Sequence, residues 1–243
     1  MPYRKEIFEY TGGKETKKYF TPRLGGKKTR IPNFNQTPED VKKVNAKRRE
    51  ENLRRIILTN FKRDDIYLTL TYADEPESYR VAKSKISKFL RAMRRKYRKA
   101  GKELKYIYTT ESRGKRIHHH LLLNYENGLC TRELVQECWK EGMINYFAYL
   151  HYDGEPEDAK RMASYLIKET GRNIGEGEQK RSYIASRNLK KPKVYYRTIH
   201  SKTWKERPLS PKGMELYEVI NTYTNEGYPL QIARFRKRGR QNE

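Results

Sequence analysis

The chain has little of several features that would define its class. Its 243 residues include only two cysteines, Cys130 and Cys138, too few for a disulfide framework or a four-cysteine zinc site. That usage favours a reducing compartment. The first residues, MPYRKEIFEY, lack the apolar centre of a secretory signal, and no apolar run reaches membrane-spanning length. We therefore expect a cytoplasmic protein with no membrane partner.

Acidic residues are scarce relative to basic ones. Lysine and arginine total 55 against 30 for aspartate and glutamate, so the formal net charge is +25. The excess is spread along the chain, and a field of this size favours a polyanionic partner, with nucleic acid as the first candidate. Twenty tyrosines are interleaved with the cations. They suit the stacking of unpaired bases, and they equally suit ordinary strands.

The hydrophobic pattern predicts an α+β fold with a central antiparallel sheet flanked by helices. Thr37 is a candidate N-cap, and Pro38 begins a helix that runs to about Leu58. Further strands are predicted over 66–72, 104–111, 117–125 and 144–150, and further helices over 76–99, 131–140 and 156–170.

Both ends of the chain are basic and show little periodicity. We predict an N-terminal arm over residues 1–36, which could become ordered only on DNA, a core over 37–175 and a basic extension over 176–243. The extension contains SRNLKKPK, YYR and RFRKRGR. We expect residues 187–196 and 234–240, with Phe235 among them, to hold DNA rather than cleave it.

Three of the five histidines are adjacent, in the segment RIHHHLLLN over residues 116–124. On a strand, His118 and His120 point to one face and His119 to the other. In a hairpin, Glu111 would lie opposite His118, although a one-residue slip would reverse its face. Two imidazoles and a carboxylate suit Mn²⁺ or Mg²⁺. The alternative is a solvated strand end that binds no metal.

The last predicted helix carries a tyrosine that its apolar stripe does not need. The stripe consists of Ala159, Met162, Ala163, Leu166 and Ile167. Tyr165 lies on the flank of this stripe and Lys168 behind it, about 60° apart around the helix. Arg161 lies on the same side of the helix as these two residues. Arg172 would join them if the helix continued past Gly171. Nearby cations favour the ionised form of a tyrosine hydroxyl and attract a phosphate, so a tyrosine in this setting can act as a nucleophile. The alternative is a surface tyrosine on a basic helix.

Three short motifs follow one another along the chain in the order YLTLTY, IHHHLLL and YLIK. With NAKRREENLRRIILTNFKRDD before them and SRNLKKP after them, the chain resembles the rolling-circle replication initiators of the His-hydrophobe-His (HUH) endonuclease superfamily. It looks most like the replication-associated proteins of bacterial plasmids, integrative elements and small phages. The resemblance covers about residues 38–195. One departure is His119, where the family usually has a bulky hydrophobe.

The resemblance implies a complete reaction. Tyr165 would attack a DNA phosphodiester, free a 3′-hydroxyl for rolling-circle synthesis and remain as a 5′-phosphotyrosyl ester. The metal on His118, His120 and Glu111 would polarise the phosphate, and Lys168 would assist. Since the chain has no Walker-type glycine-rich loop, a host helicase and a host DNA polymerase are implied as partners, with single-stranded origin DNA as substrate.

Other readings stay open at this point. The same chemistry serves conjugative relaxases and single-tyrosine transposases, and a non-enzymatic nucleic-acid binding protein could keep the fold. The residues expected to contact DNA are Arg116, Arg161, Arg172, Arg187, Lys190, Lys191, Tyr195 and Tyr196.

Overall fold

The computed structural model describes residues 3–21, 37–111, 116–126, 128–150, 156–171, 183–201, 203–224 and 227–238, with the side chains of 156 and 168–171 left out. In chain order the elements are β1 (Tyr3–Tyr10), β2 (Gly13–Phe20), α1 (Pro38–Asn60), β3 (Ile66–Thr71), α2 (Tyr79–Lys99), β4 (Tyr106–Glu111), β5 (His118–Leu123), α3 (Arg132–Cys138), β6 (Ile144–Tyr149), α4 (Pro156–Gly171), β7 (Ile184–Ala185), β8 (Lys193–Ile199), β9 (Met214–Tyr223) and β10 (Pro229–Lys237).

The chain divides into two compact units. Residues 42–190 form what we call the central unit, and residues 1–41 with 191–243 form the terminal unit. Each contains a five-stranded antiparallel sheet, in the order β6-β3-β5-β4-β7 in the central unit and β8-β1-β2-β10-β9 in the terminal unit. The α+β prediction, with an antiparallel sheet flanked by helices, is confirmed.

One face of the central sheet carries the main hydrophobic core. Leu68, Leu121 and Tyr108 occupy facing register positions on β3, β5 and β4. The helices α2 and α3 belong to the same core through residues such as Phe89 and Val135. The α2 helix is amphipathic and begins where the Ser78 side chain accepts the backbone N–H of Val81 at 3.3 Å. That cap explains why the helix begins three residues later than Pro76, where the sequence pattern places it.

The opposite face of the central sheet lies under α1 and α4. Near its C-terminal end α1 buries Leu53 and Ile57, and α4 buries Ala163 and Leu166. Side chains of both helices line one groove with Tyr67 of β3. The functional residues described below project from this face.

The two ends of the chain differ from the expected arm and extension. Residues 3–20 form the hairpin β1–β2, and β8, β9 and β10 complete a sheet with it. The compact units divide at 41/42 and 190/191 rather than at 36/37 and 175/176. Both faces of this sheet mix polar and apolar residues, which hides the period-two signal. The pairing of β1 with β8 joins segments nearly the whole chain apart, a contact that local patterns do not report.

One part of the expected DNA-holding segment is wrong. Arg234 is 2% exposed, and its guanidinium lies 3.1 Å from Glu15 and also pairs with Glu218. Phe235 is also 2% exposed. Because buried charges and rings have no access to DNA, these two residues belong to the packing of the terminal unit instead. In the described part of the chain, no helix is long and apolar enough to cross a membrane.

Gly142 is a sharp test of the packing between β3 and the loop before β6. A Cβ there would lie 2.3 Å from the Thr71 carbonyl oxygen and 2.6 Å from the Ala73 nitrogen. Gly142→Ala should therefore lower the free energy of unfolding by roughly 1–3 kcal/mol or more, measured by denaturant unfolding. Gly12→Ala, where a Cβ meets nothing within 4 Å, is the control. Equal stabilities for the two variants would contradict the prediction.

Candidate active site

Three ligand-type side chains converge on the face under α1 and α4. Glu111 at the end of β4 lies directly opposite His118 at the start of β5, and His120 lies opposite Thr69 and Thr109. The predicted register is confirmed. Glu111 Oε2 is 3.1 Å from His118 Nε2 and 3.7 Å from His120 Nε2. One candidate ligand atom from each residue lies within 4.8 Å of the others.

Hydrogen bonds fix which nitrogens face the centre. His118 Nδ1 is 2.8 Å from the carbonyl oxygen of Arg116. A carbonyl only accepts, so Nδ1 carries the proton, and in the neutral ring Nε2 presents its lone pair to Glu111. His120 Nδ1 lies 3.0 Å from the Tyr67 hydroxyl and 3.1 Å from Thr69 Oγ1. These contacts orient His120 as the outer partners of metal-bound imidazoles do.

This arrangement fits a divalent cation. Because His118 Nδ1 donates to a carbonyl, its Nε2 lone pair faces the Glu111 carboxylate, an arrangement that a cation between them would stabilise. The N₂O donor set suits Mn²⁺ or Mg²⁺ among others. Glu111, at 3% exposed, and His120, at 4%, hold the centre away from bulk water. The trio could therefore bind a metal ion, and the identity of that ion stays a prediction.

His119 faces the other way and belongs to the core. It is fully buried, with Nε2 2.6 Å from the Tyr72 hydroxyl and Nδ1 2.9 Å from Thr110 Oγ1. Burial, with a smaller contribution from the charges of His118 and His120, lowers its pKa to about 3. It is therefore a neutral, hydrogen-bonded residue at the position where the HUH pattern usually has a hydrophobe.

The depressed pKa of His119 has a consequence for acid stability. As the pH falls from about 6.5 to about 3, His119 becomes protonated in the unfolded chain but stays neutral in the folded chain. The free energy of unfolding therefore falls over this range, by roughly 3–5 kcal/mol in all. His119→Leu should flatten this dependence while leaving a measurable folded state. Denaturant unfolding at a series of pH values, with EDTA present, measures it. Identical slopes in both proteins would refute the assignment.

Tyr165 lies on this same face, beside the histidines. The α4 helix buries Ala159, Ala163, Leu166 and Ile167, whereas Tyr165 is 44% exposed. Its ring centroid is 5.3 Å from that of His120 and 6.1 Å from that of Tyr67, both in edge-on contact. The structure thus brings the predicted tyrosine to the predicted histidines. The side chain of Lys168 and all of Arg172 lie outside the described residues.

Two grooves adjoin at Tyr165. One, of about 460 Å³, is apolar and is lined by α1, β6 and α4, with Arg161 at its wall. The other, of about 510 Å³, contains His118, His120 and Arg116. Tyr67, Tyr146 and Tyr165 line both. The second groove carries two histidines and an arginine, whereas the first is lined mainly by apolar and aromatic side chains.

Several residues of the site escaped the sequence reasoning. Tyr67 and Thr69 lie two apart on β3 and hold His120, and Tyr146, 51% exposed, packs edge-on against Tyr67 at 5.8 Å. The alternation in YLTLTY could have found the first pair, since residues 67, 69 and 71 share a face opposite the buried leucines. Nothing local could have shown that this face meets β5.

The residues expected to contact DNA fall into two groups. Arg116 is exposed at the second groove and donates to the Ala73 carbonyl at 2.8 Å, and Arg161 is exposed at the first. Five others are also exposed, two of them after β7 in the central unit and three just before or on β8 in the terminal unit. These are Arg187, Lys190, Lys191, Tyr195 and Tyr196. Their DNA contacts stay predictions.

Residues 65–174 match the family model described as replication-associated protein ORF2/G2P. The match runs from the residue before β3 to just past α4 and holds all three motifs, so the resemblance is confirmed over this range. No curated protein and no solved structure matches the chain.

Proposed function

We propose that this protein initiates rolling-circle replication by nicking and rejoining single-stranded DNA at an origin, with Tyr165 as the nucleophile. The observation that carries the proposal is the position of Tyr165. Its half-exposed ring lies against His120, whose Nε2 is directed toward Glu111 and His118. A phosphate seated between the tyrosine hydroxyl and this trio would meet both the nucleophile and the site of positive charge.

The chemistry follows from these groups. The Tyr165 oxygen loses its proton and forms a bond to phosphorus, and the bond from phosphorus to the 3′-oxygen breaks, so that the 3′-oxygen leaves as a hydroxyl. The 5′-phosphate then remains esterified to Tyr165. A later attack by a 3′-hydroxyl reverses the step and rejoins the strand. A divalent ion held by Glu111, His118 and His120 would polarise the phosphate and stabilise the charge that develops on it.

Basic side chains near Tyr165 have two further proposed roles, charge neutralisation and assistance to the nucleophile. We assign Arg116, at the histidine groove, and Arg161, one turn before Tyr165, to neutralise phosphates near the scissile one. We assign Lys168 to assist Tyr165, because residues at i and i+3 on a helix are neighbours. A host helicase would separate the strands and a host polymerase would extend the freed 3′ end.

The match to a replication-associated family favours replication over conjugation or transposition. A relaxase or transposase would use the same residues on other DNA ends, and a binding protein without chemistry would leave no covalent adduct. The test is incubation with labelled single-stranded oligonucleotides from the origin of its own replicon and from unrelated DNA ends, with Mn²⁺, Mg²⁺ or EDTA. We expect a metal-dependent protein–DNA adduct on the origin strand. Binding with no adduct under any condition would refute the proposal.

A further inference from the structure

A row of three cations crosses the sheet of the terminal unit. Lys5 on β1 lies directly opposite Arg197 on β8 and directly opposite Lys18 on β2. Directly opposed residues of antiparallel strands point to the same face, with Cα atoms about 5 Å apart. Like charges in such positions destabilise a sheet. Burial lowers the pKa of Lys5, with contributions from Arg197 and Lys14, and burial followed by the charge of Lys5 lowers the pKa of Lys18.

Within the described residues, no carboxylate forms an ion pair with any member of this row. Lys18 Nζ instead donates to Gln231 Oε1 at 3.0 Å and lies 5.5 Å from the Trp204 ring centroid. Gln231 is itself held, because its Nε2 donates to two backbone carbonyls and to Asn221 Oδ1 at 2.8–3.1 Å. The Lys18 ammonium is therefore positioned without being neutralised.

Aromatic rings border the row on the same face. Tyr195, two residues before Arg197 on β8, lies opposite Ile7 and is 46% exposed. On the other side of the row, the buried Tyr3 ring packs edge-on against Trp204, with centroids 5.3 Å apart. An exposed ring beside cations is the combination that receives unpaired bases and their phosphates.

The opposite face of the sheet has a different charge arrangement. There the register sets Glu6 against Lys17 and Glu15 against Arg234, while Arg4 lies opposite Tyr19 and Thr198. Among the described residues, a row of three facing cations without an acid between them is thus confined to one face, which also carries the ion pair of Lys14 with Glu9 at 2.8 Å. Since such a row destabilises a sheet, it indicates a function outside folding.

We propose that the cation face, defined by Lys5, Lys18, Arg197 and Tyr195, binds a segment of single-stranded DNA. Phosphates contact the three cations and a base stacks on Tyr195. The exposed ring of Tyr195 favours unpaired bases, because the bases of a duplex are already stacked on one another. The face lies outside the range that matches the replication-associated family, and its binding does not need the cleavage chemistry.

The test compares two double substitutions in the full chain, both with Tyr165→Phe so that no cleavage intervenes. Lys5→Gln with Arg197→Gln removes two charges from the cation face, and Lys99→Gln with Lys102→Gln, the control pair, removes two exposed charges at the end of α2. Affinity for a labelled oligothymidine strand is measured by fluorescence anisotropy over a range of salt. The first pair should weaken binding about 10–100-fold at ~0.1 M salt and lower the salt slope by about 1.4. The second pair should lower affinity less than about threefold.

Further readouts separate a DNA contact from a folding effect. Relief of like-charge repulsion predicts that the cation-face pair melts no lower than the control pair. Tyr195→Ala should weaken binding without changing the salt slope, since stacking releases no counterions. Equal losses for both pairs would show a general field effect and overturn the proposal. So would a duplex, or an RNA of matching sequence, that displaces the oligonucleotide better than unlabelled DNA does. None of these results depends on whether Tyr165 is the nucleophile.

Discussion

Tyr165→Phe should abolish both the nick and the covalent adduct while leaving the fold and the DNA affinity nearly unchanged. The substitution removes only the hydroxyl, and the ring that packs against His120 and Tyr67 remains. Since the reaction needs that oxygen to bond to phosphorus, we expect a rate loss of roughly a thousandfold or more. Denaturing electrophoresis of a labelled origin oligonucleotide measures nick and adduct together, and anisotropy measures the affinity.

Other tyrosines near the site make this a demanding test. Tyr146 lines both grooves with Tyr165, and Tyr149 lines the apolar one. Tyr152, also close in sequence to α4, lies outside the described residues. Tyr146→Phe is the matched control, because it removes a hydroxyl from the same grooves, and it should retain adduct formation. Peptide mapping of the adduct to Tyr146, Tyr149 or Tyr152 would overturn the assignment of Tyr165.

His120→Ala should remove metal binding and cleavage together. Its ring lies beside Glu111, Tyr67 and Tyr165, so its loss takes away a proposed metal ligand and opens a gap next to Tyr165. We expect affinity for Mn²⁺ to fall at least about 10–100-fold, measured by electron paramagnetic resonance of free Mn²⁺, and cleavage to fall below detection. His118→Ala should act in the same direction.

His119→Leu is the control for that experiment. It removes an imidazole from the neighbouring position of the same strand, but on the core face, so Mn²⁺ affinity and cleavage should persist. Full cleavage by the unmodified protein in EDTA would contradict the metal hypothesis directly. Unchanged Mn²⁺ affinity in both His118→Ala and His120→Ala would place the metal elsewhere.

Most of the correct sequence predictions came from local hydrophobic patterns in the central unit. Helix periodicity placed α2 and α4 within about a turn of their observed bounds, and the period of two separated His118 and His120 from His119. Both signals are short-range, since they depend on which residues a helix or strand buries along its own length. For the same reason Tyr165 could be recognised as a residue that the α4 core stripe does not use.

Long-range contacts account for what those patterns missed. Tyr67 and Thr69 gain their importance only when β3 pairs with β5, and the hairpin β1–β2 is part of a sheet only because β8 and β10, from the far end of the chain, pair with it. The same pairing turns Arg234 from an apparent DNA ligand into a buried structural ion.

The positions of residues that are close in sequence depend on local helix and strand geometry. The α+β class, the shared face of the histidine pair and the position of the tyrosine on its helix therefore follow from the amino-acid sequence alone. Which strands lie side by side is settled by the burial and hydrogen bonding of the whole chain at once. No local pattern therefore shows that Lys5, Lys18 and Arg197 share one face, or that Glu111, His120 and Tyr165 meet.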